Sequence, residues 1–197
     1  MSKRADLLNF FTVFALKCLA SLGSKVSQSQ VNKLSPVRKR VGNFNSCESF
    51  DRDMRVLLLG ASGFIGQSIV SKVPEHVELT GTYFKNEKKS KRCHFEQLNY
   101  LSEGLDWNQL IEPYSCIIVA ARANAGNGKT RDDISQRSQS AFSKMIKAVE
   151  ASESKPFIVA VNGSLSYGHR GEELVRTDDE INPTGFAKSY SIAEKPF

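Results

Sequence analysis

The sequence predicts an α/β fold, in which a mostly parallel β-sheet is covered by helices on both faces. Two short, mainly apolar runs, 55–59 and 116–121, are typical of strands that are buried on both faces of such a sheet. The first run leads into a glycine-rich turn, then a helical pattern, then a second strand-like segment. This alternation favours β-α-β units over an all-α or an all-β domain.

The elements follow one another in a regular order. The first helix begins in the glycine turn and runs to about Lys72, because Pro74 would interrupt it beyond that point. The predicted strands are 55–59, 76–83, 92–98, 116–121 and the apolar segment that begins at Pro156. The other helices are predicted at 105–111, at 134–151 and in the segment that reaches Glu194. A doubly wound sheet would arrange about five such strands in the order 3-2-1-4-5.

Three glycines stand between the first strand and the first helix: Gly60, Gly63 and Gly66. The first would let the chain leave the strand in a tight turn, the second would let a pyrophosphate approach the backbone, and the third would let the helix pack closely on the strand. The N–H groups at the start of the helix would then face the phosphates. A turn without a ligand is the alternative, but the strand-turn-helix-strand context predicts a dinucleotide site.

The segment GASGFIG resembles the G-x-x-G-x-x-G turn of extended short-chain dehydrogenases, the NAD-dependent epimerase/dehydratase family. The resemblance covers about 54–197 and implies a Rossmann-type domain whose parent chemistry is hydride transfer on a nucleotide sugar. It assigns to the cofactor the turn residues Gly60, Ser62, Gly63, Phe64, Ile65 and Gly66. It also implies that the end of the fourth strand borders the nicotinamide ribose through Ala120, Ala121 and Arg122.

The end of the second strand carries the prediction of cofactor preference. NAD sites usually have an acid there for the ribose hydroxyls, whereas this chain has Thr82 and Tyr83. Lys85 and two further lysines, Lys88 and Lys89, follow closely. The missing carboxylate and these cations favour NADP over NAD, while ordinary solvated lysines are the alternative interpretation. The Gly-Thr-Tyr ending also resembles dTDP-4-dehydrorhamnose-reductase-like members of the family.

The last helical segment departs from the family pattern. Family members carry Tyr-x-x-x-Lys-x-x-x-Glu there, in which Tyr exchanges a proton with the substrate and Lys holds the nicotinamide ribose. Placing Glu194 on the final glutamate puts Phe186 at the usual Tyr position and Tyr190 at the Lys position. Lys195 is five residues from Tyr190, so the two would not share one helix face. The helix therefore offers Tyr190 no partner cation.

The catalytic serine of the family is displaced as well. Placing the segment Ser166-Tyr167-Gly168 on the family's Tyr-Gly pair puts Gly163 at the serine position, with Ser164 one residue further. The candidate catalytic residues are therefore Ser164 and Tyr190, in a rearranged site. The alternative is a degenerate site in which Phe186 and Tyr190 only pack. The chain ends soon after this helix, where family members continue into a substrate lobe, so a truncated cofactor half is expected.

The segment after the fourth strand contains Gly128-Lys129-Thr130, which imitates a P-loop. Ala123 stands where the first P-loop glycine is required, so a flexible glycine-rich loop over the active site is the better interpretation. The helix predicted at 134–151 has an apolar stripe that would pack on the sheet, made by Ala141, Phe142, Met145, Ile146 and Val149. By the resemblance this helix supplies dimer contacts in many family members, so a homodimer is compatible with it.

Residues 1–53 form a basic extension with nine basic and four acidic side chains, whereas the rest of the chain has 18 and 17. Most of the net charge of +6 therefore lies in the extension, and a nucleic-acid groove on the folded body is not indicated. The apolar stretch 7–16 is shorter than the roughly 20 residues of a membrane span. An unstructured tail or mis-called start before Met54, organelle targeting through residues 1–25, and a functional extension of a cytoplasmic protein remain open.

Four cysteines and three histidines are scattered along the chain without metal-ligand spacing, so no metal site is predicted. Two functional hypotheses follow from the sequence. The first is an NAD(P)-dependent oxidoreductase or epimerase that acts on a nucleotide sugar with a replaced Tyr-x-x-x-Lys pair. The second is a non-catalytic module that binds a dinucleotide or a partner protein.

Overall fold

The computed structural model describes residues 54–122, 128–176 and 179–197, apart from the side chains of Lys129 and Ser164. The described strands are β1 (Met54–Leu59), β2 (Val77–Tyr83), β3 (His94–Gln97), β4 (Cys116–Val119) and β5 (Phe157–Ala160). The described helices are α1 (Phe64–Lys72), α2 (Trp107–Ile111), α3 (Gly128–Ala151) and α4 (Ala187–Glu194), and a 3-10 turn spans Ser164–Tyr167. The predicted extension 1–53 lies outside the described residues.

The five strands form one parallel sheet in the order β3-β2-β1-β4-β5. This confirms the predicted fold class and strand order. Leu57 of β1 pairs with Thr80 of β2 on one side and with Ile117 of β4 on the other. Because the strand order reverses between β1 and β4, a crevice opens where their carboxyl ends diverge.

The core lies on both faces of β1, whose residues from Val56 to Leu59 are all buried. Leu57 and Leu59 pack with β4, α2 and α3, and Leu58 between them points to the opposite face. The stripe predicted on α3 belongs to this cluster through four buried members, Ala141, Phe142, Met145 and Val149. The interpretation of this helix as one that packs on the sheet is therefore confirmed.

Two element boundaries differ from the predictions. Helix α3 begins at Gly128 rather than at residue 134, so the second half of the predicted glycine-rich loop is helical. Glycine destabilises a helix by about 1 kcal/mol relative to alanine, but only in the helix interior. Gly128 is the first residue of α3, so it does not prevent the polar residues that follow it from being helical. Residues 123–127, the rest of the predicted loop, lie outside the described residues. Strand β4 ends at Val119, two residues earlier than expected.

Helix α2 is short and begins at a defined cap. The Asp106 carboxylate accepts hydrogen bonds from the backbone N–H groups of Asn108 and Gln109, at 2.9 and 3.2 Å. Such a cap satisfies donors that the first turn leaves unpaired. The cap sets Trp107 and Ile111 against the core, where both are buried. No helix within the described residues is long and apolar enough to cross a membrane.

Candidate functional site

The glycine turn joins the carboxyl end of β1 to the amino end of α1. Gly60 has a φ of +85°, and a Cβ on it would lie 2.7 Å from the Cα of Ala121. A Cβ on Gly66 would overlap the carbonyl oxygen of Gly60 and lie 2.6 Å from the Cα of Ala61. Both positions therefore require glycine, and together they seat α1 against the end of β1.

The amino end of α1 presents backbone donors at this edge of the sheet. Gly63 is the N-cap residue, and no side chain caps the helix. The first helical bond runs from the N–H of Gln67 to the Gly63 carbonyl at 2.8 Å. This leaves the N–H groups of Phe64, Ile65 and Gly66 outside the helical ladder. Free N–H groups at the positive end of a helix dipole attract anions, so the turn can receive phosphate oxygens.

Two side chains fix the shape of the turn. The Thr82 hydroxyl oxygen accepts a hydrogen bond from the N–H of Gly60 at 3.0 Å, and the Gln67 amide donates one to the carbonyl of Ala61 at 2.8 Å. Thr82, the residue predicted at the cofactor end of β2, is only 5% exposed. Its hydroxyl is thus engaged by the turn itself, and no carboxylate stands at this position.

A surface groove runs from the glycine turn along α1. It is lined by Ser62, Gly63, Phe64, Gln67, Ser68, Ser71 and Lys88. Lys88 thus reaches from the loop after β2 to the turn. Lys85, the lysine predicted beside the cofactor, has its ammonium nitrogen 5.6 Å from the ring centroid of Phe84. The structure therefore places Lys88 in the groove, while Lys85 lies over an exposed ring.

The end of β4 lies beside the glycine turn. The N–H of Ala120 donates to the carbonyl of Leu59 at 2.9 Å, which continues the pairing of β4 with β1. Ala121 approaches Gly60 closely enough to exclude any side chain there. The residues predicted to border the cofactor from β1 and from β4 are thus brought to one edge, at the switch point where ligands of doubly wound sheets bind.

Arg122 connects this edge to α4 through an ion pair. Its Nη2 lies 2.7 Å from Oε1 of Glu194, and the two side chains are 43% and 14% exposed. The Glu194 carboxylate also accepts hydrogen bonds from the Ser166 hydroxyl, at 2.5 Å, and from the N–H of Gly163, at 3.3 Å. One carboxylate therefore ties together the end of β4, the loop after β5 and the end of α4.

Tyr190 lies at the centre of this arrangement. The guanidinium carbon of Arg122 is 4.3 Å from its ring centroid and that of Arg131, from α3, is 5.7 Å away. Phe186, one turn earlier, packs edge to face against the same ring with a centroid distance of 5.8 Å and is half exposed. The helix offers Tyr190 no lysine at the expected spacing, but β4 and α3 each bring a guanidinium. The residue spacing within α4 could not predict these two guanidinium groups, because neither comes from the helix that carries Tyr190.

Gly163 and Ser164, which stand at and next to the predicted serine position, lie at the start of the 3-10 turn after β5. Gly163 stands beside the Arg122 guanidinium, and a Cβ on it would lie 3.7 Å from Nη2. Ser164 opens the 3-10 turn, and only its backbone is described. Of the two candidate catalytic residues, Tyr190 is thus the one whose side-chain surroundings the structure gives.

The described cysteines do not add a nucleophile to this site. Burial raises the pKa of the Cys93 thiol to about 11 and that of the Cys116 thiol to about 12. Neither is therefore a thiolate near neutral pH, and the thiolate is the reactive form. Within the described ranges, no three histidine, cysteine or carboxylate side chains gather as they would around a metal ion.

Comparison with known proteins places this fold among solved enzymes. Neither a protein-family model nor a curated protein matches the chain. The UDP-glucuronic acid 4-epimerase of Bacillus cereus, solved in complex with NAD, is similar in structure with a TM-score of 0.58 and 18% sequence identity. Bordetella bronchiseptica WbmH, in complex with NAD+, gives 0.59 and 20%, and a hypothetical dTDP-4-dehydrorhamnose reductase of Sulfolobus tokodaii gives 0.59 and 19%.

These similarities establish the class of fold. The matches cover 73–74% of this chain and 51–52% of the three solved chains, so the chain spans about half of their length. The chain has the Rossmann-type fold of NAD-binding epimerases and related reductases. The resemblance predicted from the glycine turn is thereby confirmed at the level of the fold.

Proposed function

We propose that the protein binds a nicotinamide dinucleotide across the carboxyl edge of its sheet. The observation that carries the proposal is the glycine turn, whose Gly60 and Gly66 admit no side chain and whose helix start leaves three N–H groups outside the helical ladder. A Cβ on Gly63 would lie 3.3 Å from the Gly60 carbonyl oxygen, and without one a pyrophosphate could approach the backbone. The proposed contacts of the pyrophosphate are the turn residues Gly60, Ser62, Gly63, Phe64, Ile65 and Gly66.

The two ends of the dinucleotide would lie on either side of β1. The nicotinamide ribose would border Ala120, Ala121 and Arg122 at the end of β4. The adenosine ribose would lie near Thr82 and the basic loop after β2. We propose NADP rather than NAD, because no acid stands at the end of β2 and Lys88 lines the groove at the turn. Lys85 would add a second, more distant positive charge.

The parent chemistry proposed for the site is hydride transfer on a nucleotide sugar. The similar solved structures include an enzyme in complex with UDP-glucose and NAD, which supports this substrate class. The dinucleotide would carry the hydride, while Tyr190 and Ser164 are the residues of this chain proposed to exchange a proton with the substrate. Since the chain spans about half of those enzymes, the substrate class rests on the fold alone.

Phe186 favours a second candidate function, a non-catalytic module that binds the dinucleotide or a partner. A phenylalanine at the usual Tyr position cannot exchange a proton, and half of its surface is exposed. The two candidates differ in turnover. Incubation of the chain with NADP+ or NAD+ and with UDP-glucose or UDP-glucuronic acid would give net reduction at 340 nm for a dehydrogenase. An epimerase, which returns the hydride to the sugar, would instead convert the sugar nucleotide, as seen by chromatography, and a non-catalytic module would do neither.

The dinucleotide site is tested by titrating the full chain with NADPH and NADH and following nicotinamide fluorescence. Gly63→Asp would place a carboxylate at the phosphate turn and is expected to abolish binding. Gly104→Asp is the matched control, because Gly104 has open space around it and lies outside the site. Equal affinity of the wild-type chain and Gly63→Asp, or no binding by a folded wild-type chain, would contradict the proposal.

A further inference from the structure

Arg122 also borders the proposed nicotinamide ribose, but dinucleotide binding does not explain why Arg122, Arg131 and Glu194 gather around Tyr190. This group lies beyond the glycine turn, where β4, α3 and α4 meet. Two guanidinium groups approach one aromatic ring, at 4.3 and 5.7 Å from its centroid. In the described part of the chain, the carboxylate of Glu194 pairs with Arg122, and Arg131 has no ion pair.

The guanidinium of Arg122 is held in place from three directions. Glu194 accepts from its Nη2, the Tyr190 ring lies under its face, and the bare Cα of Gly163 borders its edge. Glu194 is in turn fixed by the Ser166 hydroxyl and the Gly163 N–H. An arginine fixed in this way loses little side-chain entropy when it binds a ligand, and this favours binding.

The same guanidinium remains accessible. Its side chain is 43% exposed, and Glu194 is the one hydrogen-bond partner that the described residues provide for it. An arginine presents five N–H donors, so donors are left over for a ligand. The surrounding cavity adds the polar side chain of Asn162 to its lining.

Arg131 supplies the second cation and an unusual unpaired donor. Its Nε is buried, and the described part of the chain offers it no hydrogen-bond partner. A buried donor without an acceptor destabilises the folded protein by about 1–3 kcal/mol. A ligand that supplies the acceptor would remove this destabilisation. Arg131 therefore has a buried donor without an acceptor, close to the ring that Arg122 also contacts.

We propose that Arg122 and Arg131 form a binding site for the carboxylate group of a small-molecule ligand, with Glu194 as the residue that positions Arg122. A carboxylate matches the planar donor fork of a guanidinium and would bring a negative charge close to Arg131, which has no ion pair among the described residues. Gly163 borders the Arg122 guanidinium, since a Cβ on it would lie 3.7 Å from Nη2, in ordinary van der Waals contact. The test uses no dinucleotide, so its failure and the failure of the dinucleotide site are distinguishable.

The experiment follows the arginine side-chain Nε–H signals of the full 15N-labelled chain by NMR during titration with sodium acetate. Ionic strength is held constant with sodium chloride, and acetamide serves as the neutral ligand of the same shape. We expect a saturable shift of two arginine signals with acetate and no shift with acetamide. Arg122→Gln should weaken acetate binding about tenfold or more, since charge-assisted hydrogen bonds are lost.

Two further variants make the outcome decisive. Arg131→Gln should also weaken binding and leaves the Arg122–Glu194 pair in place, so it tests the site even where Arg122→Gln fails to fold. Arg92→Gln is the matched control, since Arg92 is an exposed arginine that pairs with Glu75. Equal shifts with acetate and acetamide, or unchanged acetate affinity in the folded Arg131→Gln variant, would overturn the proposal.

Discussion

The proposed preference for NADP rests on single side chains. Thr82 replaces an acid with a hydroxyl that the Gly60 N–H already engages. This change removes the repulsion that an acid would exert on a 2′-phosphate. Lys88 then adds an attractive charge from the loop after β2, in the groove that begins at Ser62 and Gly63. The proposed preference for NADP thus rests on two residues that act in the same direction, Thr82, which does not repel a 2′-phosphate, and Lys88, which would attract it.

Lys88→Glu is therefore expected to lower the affinity for NADPH about three- to tenfold and to leave that for NADH within about twofold, as suits one partly solvated charge. Fluorescence titration with both cofactors measures the effect. Lys89→Glu is the charge-matched control, because Lys89 does not line the groove. A loss of affinity of the same size for both cofactors would argue against a 2′-phosphate contact.

A second residue-scale prediction concerns Cys116, whose pKa burial raises from 9.0 to about 12. Above pH 9 the thiol ionises in the unfolded chain but stays protonated in the folded one. The free energy of unfolding should then fall as pH rises, by up to about 1.4 kcal/mol per pH unit from this thiol. Urea denaturation between pH 8 and 10.5 measures the slope.

Cys116→Ala should show a shallower loss of stability over the same interval. Its lost packing lowers stability by an amount that does not depend on pH, so the slope and not the absolute value is the readout. Parallel curves for the two proteins would show that Cys116 does not contribute to the alkaline loss.

At the scale of elements, the absence of a side chain at Gly66 lets α1 pack closely on the turn that follows β1. A Cβ on Gly66 would overlap backbone atoms, which cannot rotate away as a flexible side chain does. Gly66→Ala should therefore destabilise the chain by at least about 2 kcal/mol, within the range for overpacking. The midpoint of urea denaturation gives the change.

The control for this variant is Gly104→Ala. Gly104 has neither a close neighbour nor a positive φ, so its replacement should leave the midpoint within about 0.5 kcal/mol. If Gly66→Ala were as stable as Gly104→Ala, the helix would not be packed as closely on the turn as the structure indicates.

The elements were predictable where local pattern and burial agree. β1 and β4 lie in the middle of the sheet, so their runs of buried apolar residues stand out from the polar sequence around them. The start of α3 was not predictable, because a glycine followed by Lys-Thr is typical of loops. The Arg122–Glu194 pair was not predictable either. It joins residues that are 72 positions apart, and no periodicity of the sequence relates them.

At the scale of the whole molecule, ligand binding and folding are linked. A dinucleotide that binds only the folded chain stabilises it by about 2.7 kcal/mol at a concentration of 100 times Kd. For a chain of this size the melting temperature should rise by about 5–10 °C. Thermal unfolding with and without NADPH measures the shift.

Gly63→Asp should melt at the same temperature with and without NADPH. The control Gly104→Asp should retain the full shift. A shift of equal size in Gly63→Asp would mean that the ligand stabilises the chain through some other surface.

The Glu194 contacts have a consequence for the order in which the protein acquires its parts during synthesis on the ribosome. β1 can pair with β2, and then with β4, while the later residues are still being translated. The carboxylate that orders Arg122 arrives only 72 residues after the arginine itself. We therefore expect the pocket around Tyr190 to be completed only after most of the sheet has been synthesised.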